Sequence, residues 1–169
     1  SLGASTIDYN SSLITTDYRT IQINFNNLSC ANDNEDIYLQ LSSDNGSNFA
    51  GITQTRGYIR IDQSSNSTMS FNSYDGGGMD HDYHILGQDM ESTASGGGFS
   101  GTAWIYGINN ATAKKYVLSI TAAQNGNQGY YMYYNGSVHD TTSAINLIRI
   151  LNGSGNNIDS GLISVYGYK

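Results

Sequence analysis

The feature that most constrains this chain is alternation. In "YRTIQINF", Ile21, Ile23 and Phe25 fall on one side, and Thr20, Gln22 and Asn24 on the other. Ile37, Leu39 and Leu41 repeat the pattern in "IYLQL", Ile59 and Ile61 in "GYIRID", and Met69 and Phe71 in "TMSF". Later come "TAWIYGI", "KKYVLSITA", "GYYMYY", "INLIRIL" and "LISVYGY". A period of two places alternate side chains on opposite faces of a strand and excludes an amphipathic helix. Many short strands separated by loops predict two packed antiparallel sheets. The turn residues agree. Asn-Gly occurs at Asn45-Gly46, Asn125-Gly126, Asn135-Gly136 and Asn152-Gly153, and this pair accepts the positive φ of tight hairpins. "AAQNGNQGYY" is expected to join two antiparallel strands. The chain has 20 Gly and no Pro, so glycine and asparagine make its turns. A single turn near "ATAKK" is the best helix candidate.

Length and charge set further bounds. The 169 residues fit one sandwich domain, 1–169. Only 12% are charged and the net charge is −7, with seven scattered Lys and Arg. Phosphate contacts need a basic face, so nucleic acid is not an expected partner. No long apolar run or secretory signal is present, and no membrane association is expected. The one cysteine, Cys30, cannot form an intrachain disulfide and is expected to be a small buried apolar residue. The last segment, "SGLISVYGYK", opens on the turn signal Asp159-Ser160-Gly161 and is expected to fill a place inside a sheet.

Two groups of residues could carry function. The first is a long polar segment, "DGGGMDHDYHILGQDMESTASGGG", flanked by glycine triplets and expected to hold a short strand at "YHIL". Asp75, Asp80, Asp82, Asp89 and Glu91 supply carboxylates in or beside it, with His81 and His84 among them. Oxygen ligands outnumber imidazoles, so calcium is the metal to expect if one binds. The spacing matches neither an EF-hand nor HExxH. A solvated loop or a contact with a neighbouring subunit are the competing readings.

The second group is aromatic. Tyr131 and Tyr133 alternate with Tyr130, Met132 and Tyr134, so one face of that strand packs inward and the other shows rings. Trp104 shares a side with Tyr106, opposite Ala103 and Ile105, and is expected to anchor the core, with a platform role as the alternative. Tyr130, Tyr131, Tyr133, Tyr134, Trp104 and Tyr106 therefore form the candidate interface or ligand platform. Exposed tyrosine suits protein interfaces and sugar stacking alike. No GxSxG elbow, P-loop or dinucleotide-binding glycine pattern occurs. His139-Asp140 is a poor acid–base pair, since neighbours on a strand face opposite ways. A non-enzymatic role is expected.

The ordered series "TTDYRTIQINFNNL", "IYLQLSSDNGSNF" and "INLIRILNGSGNNIDSGLISVYGYK" resembles a jelly-roll module of tailed-bacteriophage virion structural proteins. The resemblance rests on the order of these segments nearly end to end, and no catalytic residue comes with it. It implies a jelly-roll sandwich on the virion surface, as a capsid decoration protein or tail-appendage subunit. It also implies a major capsid or tail protein as partner, and self-assembly, a trimer by analogy. Two further readings stand beside it: a glycan-binding domain that stacks sugars on tyrosine, and a self-assembling filament subunit built by strand addition.

Overall fold

The computed structural model describes residues 2–50, 52–62, 68–75, 82–92, 94, 96–124 and 129–169, with the backbone alone described for 52–62 and 68–75. Eleven strands follow one another: β1 (Thr6–Asn10), β2 (Thr20–Cys30), β3 (Glu35–Ser42), β4 (Ile52–Asp62), β5 (Thr68–Asp75), β6 (His84–Met90), β7 (Phe99–Tyr106), β8 (Lys115–Gln124), β9 (Tyr130–His139), β10 (Leu147–Asn152) and β11 (Ile158–Tyr168). Among the described residues there is no α-helix, and "ATAKK" is a bend leading into β8. No helix is long and apolar enough to cross a membrane.

The strands form two antiparallel sheets packed as a sandwich. The smaller runs β1-β10-β3-β6 and the larger β11-β2-β7-β8-β9-β4-β5. Four pairings are nested: β4 with β5, β3 with β6, β2 with β7, and β1 with β10. The hairpin β8–β9 lies between β7 and β4. It is the pairing expected of "AAQNGNQGYY", although its turn, 125–128, lies outside the described residues.

The alternating residues of the first strands fill the space between the sheets. Ile21, Ile23 and Phe25 of β2 meet Ile37, Leu39 and Leu41 of β3, with Ile148, Ile150, Ile105 and Phe99, all buried. Burying each such side chain contributes about 1.5–3 kcal/mol. The rings of Phe25 and Phe99 lie 5.1 Å apart. Cys30 is buried too, and its thiol is pushed up to about 12 by burial and by the nearby Glu35 carboxylate.

Two turn expectations need correction. Asn135-Gly136 is no turn: it lies within β9, where Asn135 donates its side-chain amide to the Ile85 carbonyl across the sandwich. Asn45-Gly46 does take positive φ, 60° and 86°, but sits in the crossing from one sheet to the other. The last strand is also not interior. β11 is an edge strand, paired along its length with β2 and bridged on its other side at Ile158 by Ala4. Its register shifts near Gly161, where φ is +109° and an added Cβ would lie 2.5 Å from the Asn27 carbonyl oxygen. A side chain there would clash with the neighbouring backbone, so the shift requires glycine.

Candidate binding face

Alternation in the larger sheet decides which residues face outward. With Ile21, Ile23 and Phe25 buried, Thr20, Gln22 and Asn24 point out. With Ala103 and Ile105 buried, so do Thr102, Trp104 and Tyr106. On β8 the outward set is Tyr116, Leu118, Ile120 and Ala122, and on β9 it is Tyr130, Met132, Tyr134, Gly136 and Val138. Leu162, Ser164, Tyr166 and Tyr168 complete it on β11.

Register assembles these into rows. One runs Tyr168, Thr20, Tyr106, Tyr116, Val138 across five strands. The next runs Tyr166, Gln22, Trp104, Leu118, Gly136, and a third Ser164, Asn24, Thr102, Ile120, Tyr134. Twelve large apolar or aromatic side chains stay exposed among the described residues, and ten lie on this face. None of its outward residues is charged. Five strands and seven residues give it an area of roughly 600 Å², its polar residues included.

The outer face of the smaller sheet is different. Asp8 and Arg149 pair there through two hydrogen bonds, 2.7 and 2.8 Å, and the guanidinium lies over the Phe49 ring. Charges near the larger face stay at its end, where Lys114 and Asp140 form an exposed ion pair beyond the first row.

A polar string crosses the β11 side of the face. The Tyr168 hydroxyl donates to Gln22 Oε1 at 2.7 Å, and Gln22 Nε2 donates to Asn24 Oδ1 at 2.8 Å. These bonds fix the Gln22 amide between Tyr166 and Trp104, with Asn24 in the adjoining row between Ser164 and Thr102. The face therefore grades from mixed aromatic and amide at β11–β2–β7 to aliphatic and aromatic at β8–β9.

Behind β8 and β9 the interior is polar. His84 of β6 spans two serines, with Nδ1 2.8 Å from Ser137 Oγ and Nε2 2.8 Å from Ser119 Oγ. Ser137 Oγ lies 3.4 Å from His139 Nε2. Thr121 donates to the Leu86 carbonyl and the Tyr133 hydroxyl to the Gln88 carbonyl. Lys115 is fully buried, donating to the Ala113 carbonyl at 2.7 Å and also to the Asn110 carbonyl; burial lowers its pKa. Burial holds His139 down to about 3. Ser137 and His139 are closed off from solvent, and Asp140 turns away to Lys114, so His139-Asp140 forms no dyad.

The candidate platform thus divides. Tyr130, Tyr134 and Tyr106 are exposed on the outer face, and Trp104 stands with them half-buried, which corrects its expected place in the core. Tyr131 and Tyr133 are corrected the other way. They are buried, with rings stacked 5.6 Å apart, so they support the face without presenting a surface to it. Burial also raises the Tyr133 pKa. Sequence reading passed over Tyr116, Leu118, Ile120, Leu162, Tyr166 and Tyr168. Their signal was the alternation itself, which marks a two-faced strand without saying which face is inside.

Among the described residues, the carboxylates expected to hold calcium are not gathered into a site. Asp80, like His81, lies outside the described residues, and Asp75 closes β5 in the larger sheet. Asp82 is exposed just before β6, the segment expected as a short strand at "YHIL". Asp89 is exposed on β6 with φ 50°, its N–H donating to Asp36, while Glu91 is buried. Among the described residues no group of three or more His, Cys, Asp or Glu is placed to hold a metal ion. The comparisons add no relative: no family model, curated protein or solved structure matches this chain.

Proposed function

We propose that this chain is a non-enzymatic structural protein of a tailed-phage virion surface, a capsid decoration or appendage subunit that binds a protein lattice through the outer face of its larger sheet. The observation that carries the reading is that face, broad and ring-rich with no charge among its described residues, on a chain of net charge −7. Charge is depleted and aromatic residues and Met are enriched at the centre of protein interfaces. Repeated copies on a lattice would add avidity to modest single contacts.

The nested pairing supports the jelly-roll part of the reading. With the β8–β9 hairpin and β11 set aside, and β10 counted eighth, the sheets run 1-8-3-6 and 2-7-4-5. A long hairpin pairing 1 with 8, 2 with 7, 3 with 6 and 4 with 5, rolled into two sheets, gives that order. The test is co-sedimentation with purified tailed-phage capsids stripped of surface proteins. Wild type should pellet, and Leu118→Glu/Ile120→Glu should stay in the supernatant with its fold intact. Equal pelleting of the two would overturn the face as the binding surface.

A second reading is favoured by the amides. Gln22, set between Trp104 and Tyr166 and bonded to Asn24 in the next row, suits a neutral glycan, which needs ring stacking and in-plane hydrogen bonds together. Binding on a glycan array that Trp104→Ala abolishes would support it; no binding by wild type would remove it.

A further inference from the structure

The larger sheet ends on one side at β11, and among the described residues no strand covers this edge from Leu162 to Tyr168. From Leu162 to Tyr168 the strand stays in unbroken register with β2 and carries neither a charge nor a proline. Among the described residues its other side is met only at its start, where Ile158 bridges Ala4. Such an edge turns alternate N–H and C=O groups outward, and natural sheets usually cover it or guard it with Lys, Pro or a bulge. The bulges of β11 precede this stretch. Beside it lies an apolar hollow of about 200 Å³, lined by Leu2, Ile7, Tyr9, Gly161, Leu162 and Ile163. Leu162 is 59% exposed there.

We propose that β11 pairs antiparallel with β11 of a second copy, about a two-fold axis at Ser164, joining the two larger sheets into one. The stretch is symmetric in size about Ser164. On the outer face Leu162 would oppose Tyr166 of the second copy, and Ser164 would oppose itself. On the inner face Ile163 would oppose Val165. These are aromatic–aliphatic and β-branched cross-strand pairs, and each occurs twice, as an isologous contact requires. Two chains of net charge −7 repel, and this stretch lets them meet without placing like charges together. The inference does not depend on lattice binding. It predicts a dimer in place of the trimer expected by analogy, with the binding face continued across the axis.

The test is sedimentation velocity over a concentration series. Wild type should be a dimer. Leu162→Lys/Tyr166→Lys places lysines opposite each other twice across the axis and should weaken the dimer at least about tenfold. Leu162→Glu/Tyr166→Lys has the same number of substitutions but pairs opposite charges in this register, and should remain a dimer. Both positions are exposed, and near-UV circular dichroism checks that each variant is folded. A monomeric wild type, a ladder of growing oligomers, or two double variants with the same mass would each overturn the proposal.

Discussion

Two neighbouring strand pairs of the larger sheet, β2–β7 and β8–β9, solve the same packing problem with opposite chemistry. At β2 and β7 the pattern is conventional, with Ile21, Ile23, Phe25, Ala103 and Ile105 inside. At β8 and β9 it is turned inside out in part, with Val117, Ala123, Tyr131 and Tyr133 still inside. Ser119, Thr121, Asn135, Ser137 and His139 face inward, while Leu118, Ile120 and Met132 face solvent. A sandwich that buries serine, histidine and asparagine must give each a partner. Here β6 bonds Ser119, Thr121, Asn135 and Ser137, while His139 lies nearest Ser137 of its own strand. β6 lies at the edge of the smaller sheet, and its Ile85, Leu86 and Gln88 carbonyls and His84 ring take bonds from side chains of the larger one. The polar interior ties β6, at the edge of the smaller sheet, to the larger one, and the apolar side chains of β8 and β9 stay exposed. The lesson is that inward polarity at β8–β9 releases hydrophobic residues to the surface without costing the fold its cohesion.

The comparison can be broken from either side. The largest effect is expected in the apolar half. Phe99→Ala should cost about 3–5 kcal/mol, read from urea unfolding. In the polar half, His84→Ala should cost about 2–3 kcal/mol because it strands two buried serine hydroxyls. The triple change His84→Leu/Ser119→Ala/Ser137→Ala should recover much of that loss, since it removes the polar groups together. Failure of the triple variant to exceed the single one would mean that the serines bond elsewhere when the ring is lost.

Acid should find the polar half first. The His139 pKa is about 3 when folded and about 6.5 when unfolded, so between these values the unfolded chain binds the extra proton. Stability should therefore fall as pH drops below about 6.5, by up to about 1.4 kcal/mol per unit, and His139→Gln should flatten that slope. The smallest effect belongs to the outer face. Leu118→Gln should change unfolding free energy by no more than about 0.5 kcal/mol. A loss near that of Phe99→Ala would show Leu118 to be part of the core.

The sandwich and most strands were legible because β2, β3 and β10 alternate in the ordinary sense, apolar toward the core. The candidate face was legible only in part. "KYVLSITA" reads as Tyr116, Leu118 and Ile120 against Val117, Ser119 and Thr121, and hydrophobicity alone would bury the wrong set. Only pairing with β7 and β9, and the bonds across to β6, settle the direction. Trp104 was expected in the core, yet β7 buries Ala103 and Ile105 and turns Trp104 outward. Asn135-Gly136 carried a turn signal that tertiary demand overrode, because Asn135 reaches the Ile85 carbonyl only from within a strand. The acidic segment carried no positional signal, and its described carboxylates are spread over β5, β6 and the residues flanking β6.

The nested order of the pairings has a kinetic consequence. The partners in β4–β5 and β8–β9 are close in sequence, and each can zip as a local hairpin. Asp8 and Arg149, at the outermost pairing, are 141 residues apart. Loop entropy must be overcome before that contact returns any stabilisation. Folding should proceed from the inner pairs outward, on the millisecond-to-second scale of chains dominated by distant contacts. The smaller sheet, which needs β10 between β1 and β3, would be the last part to close.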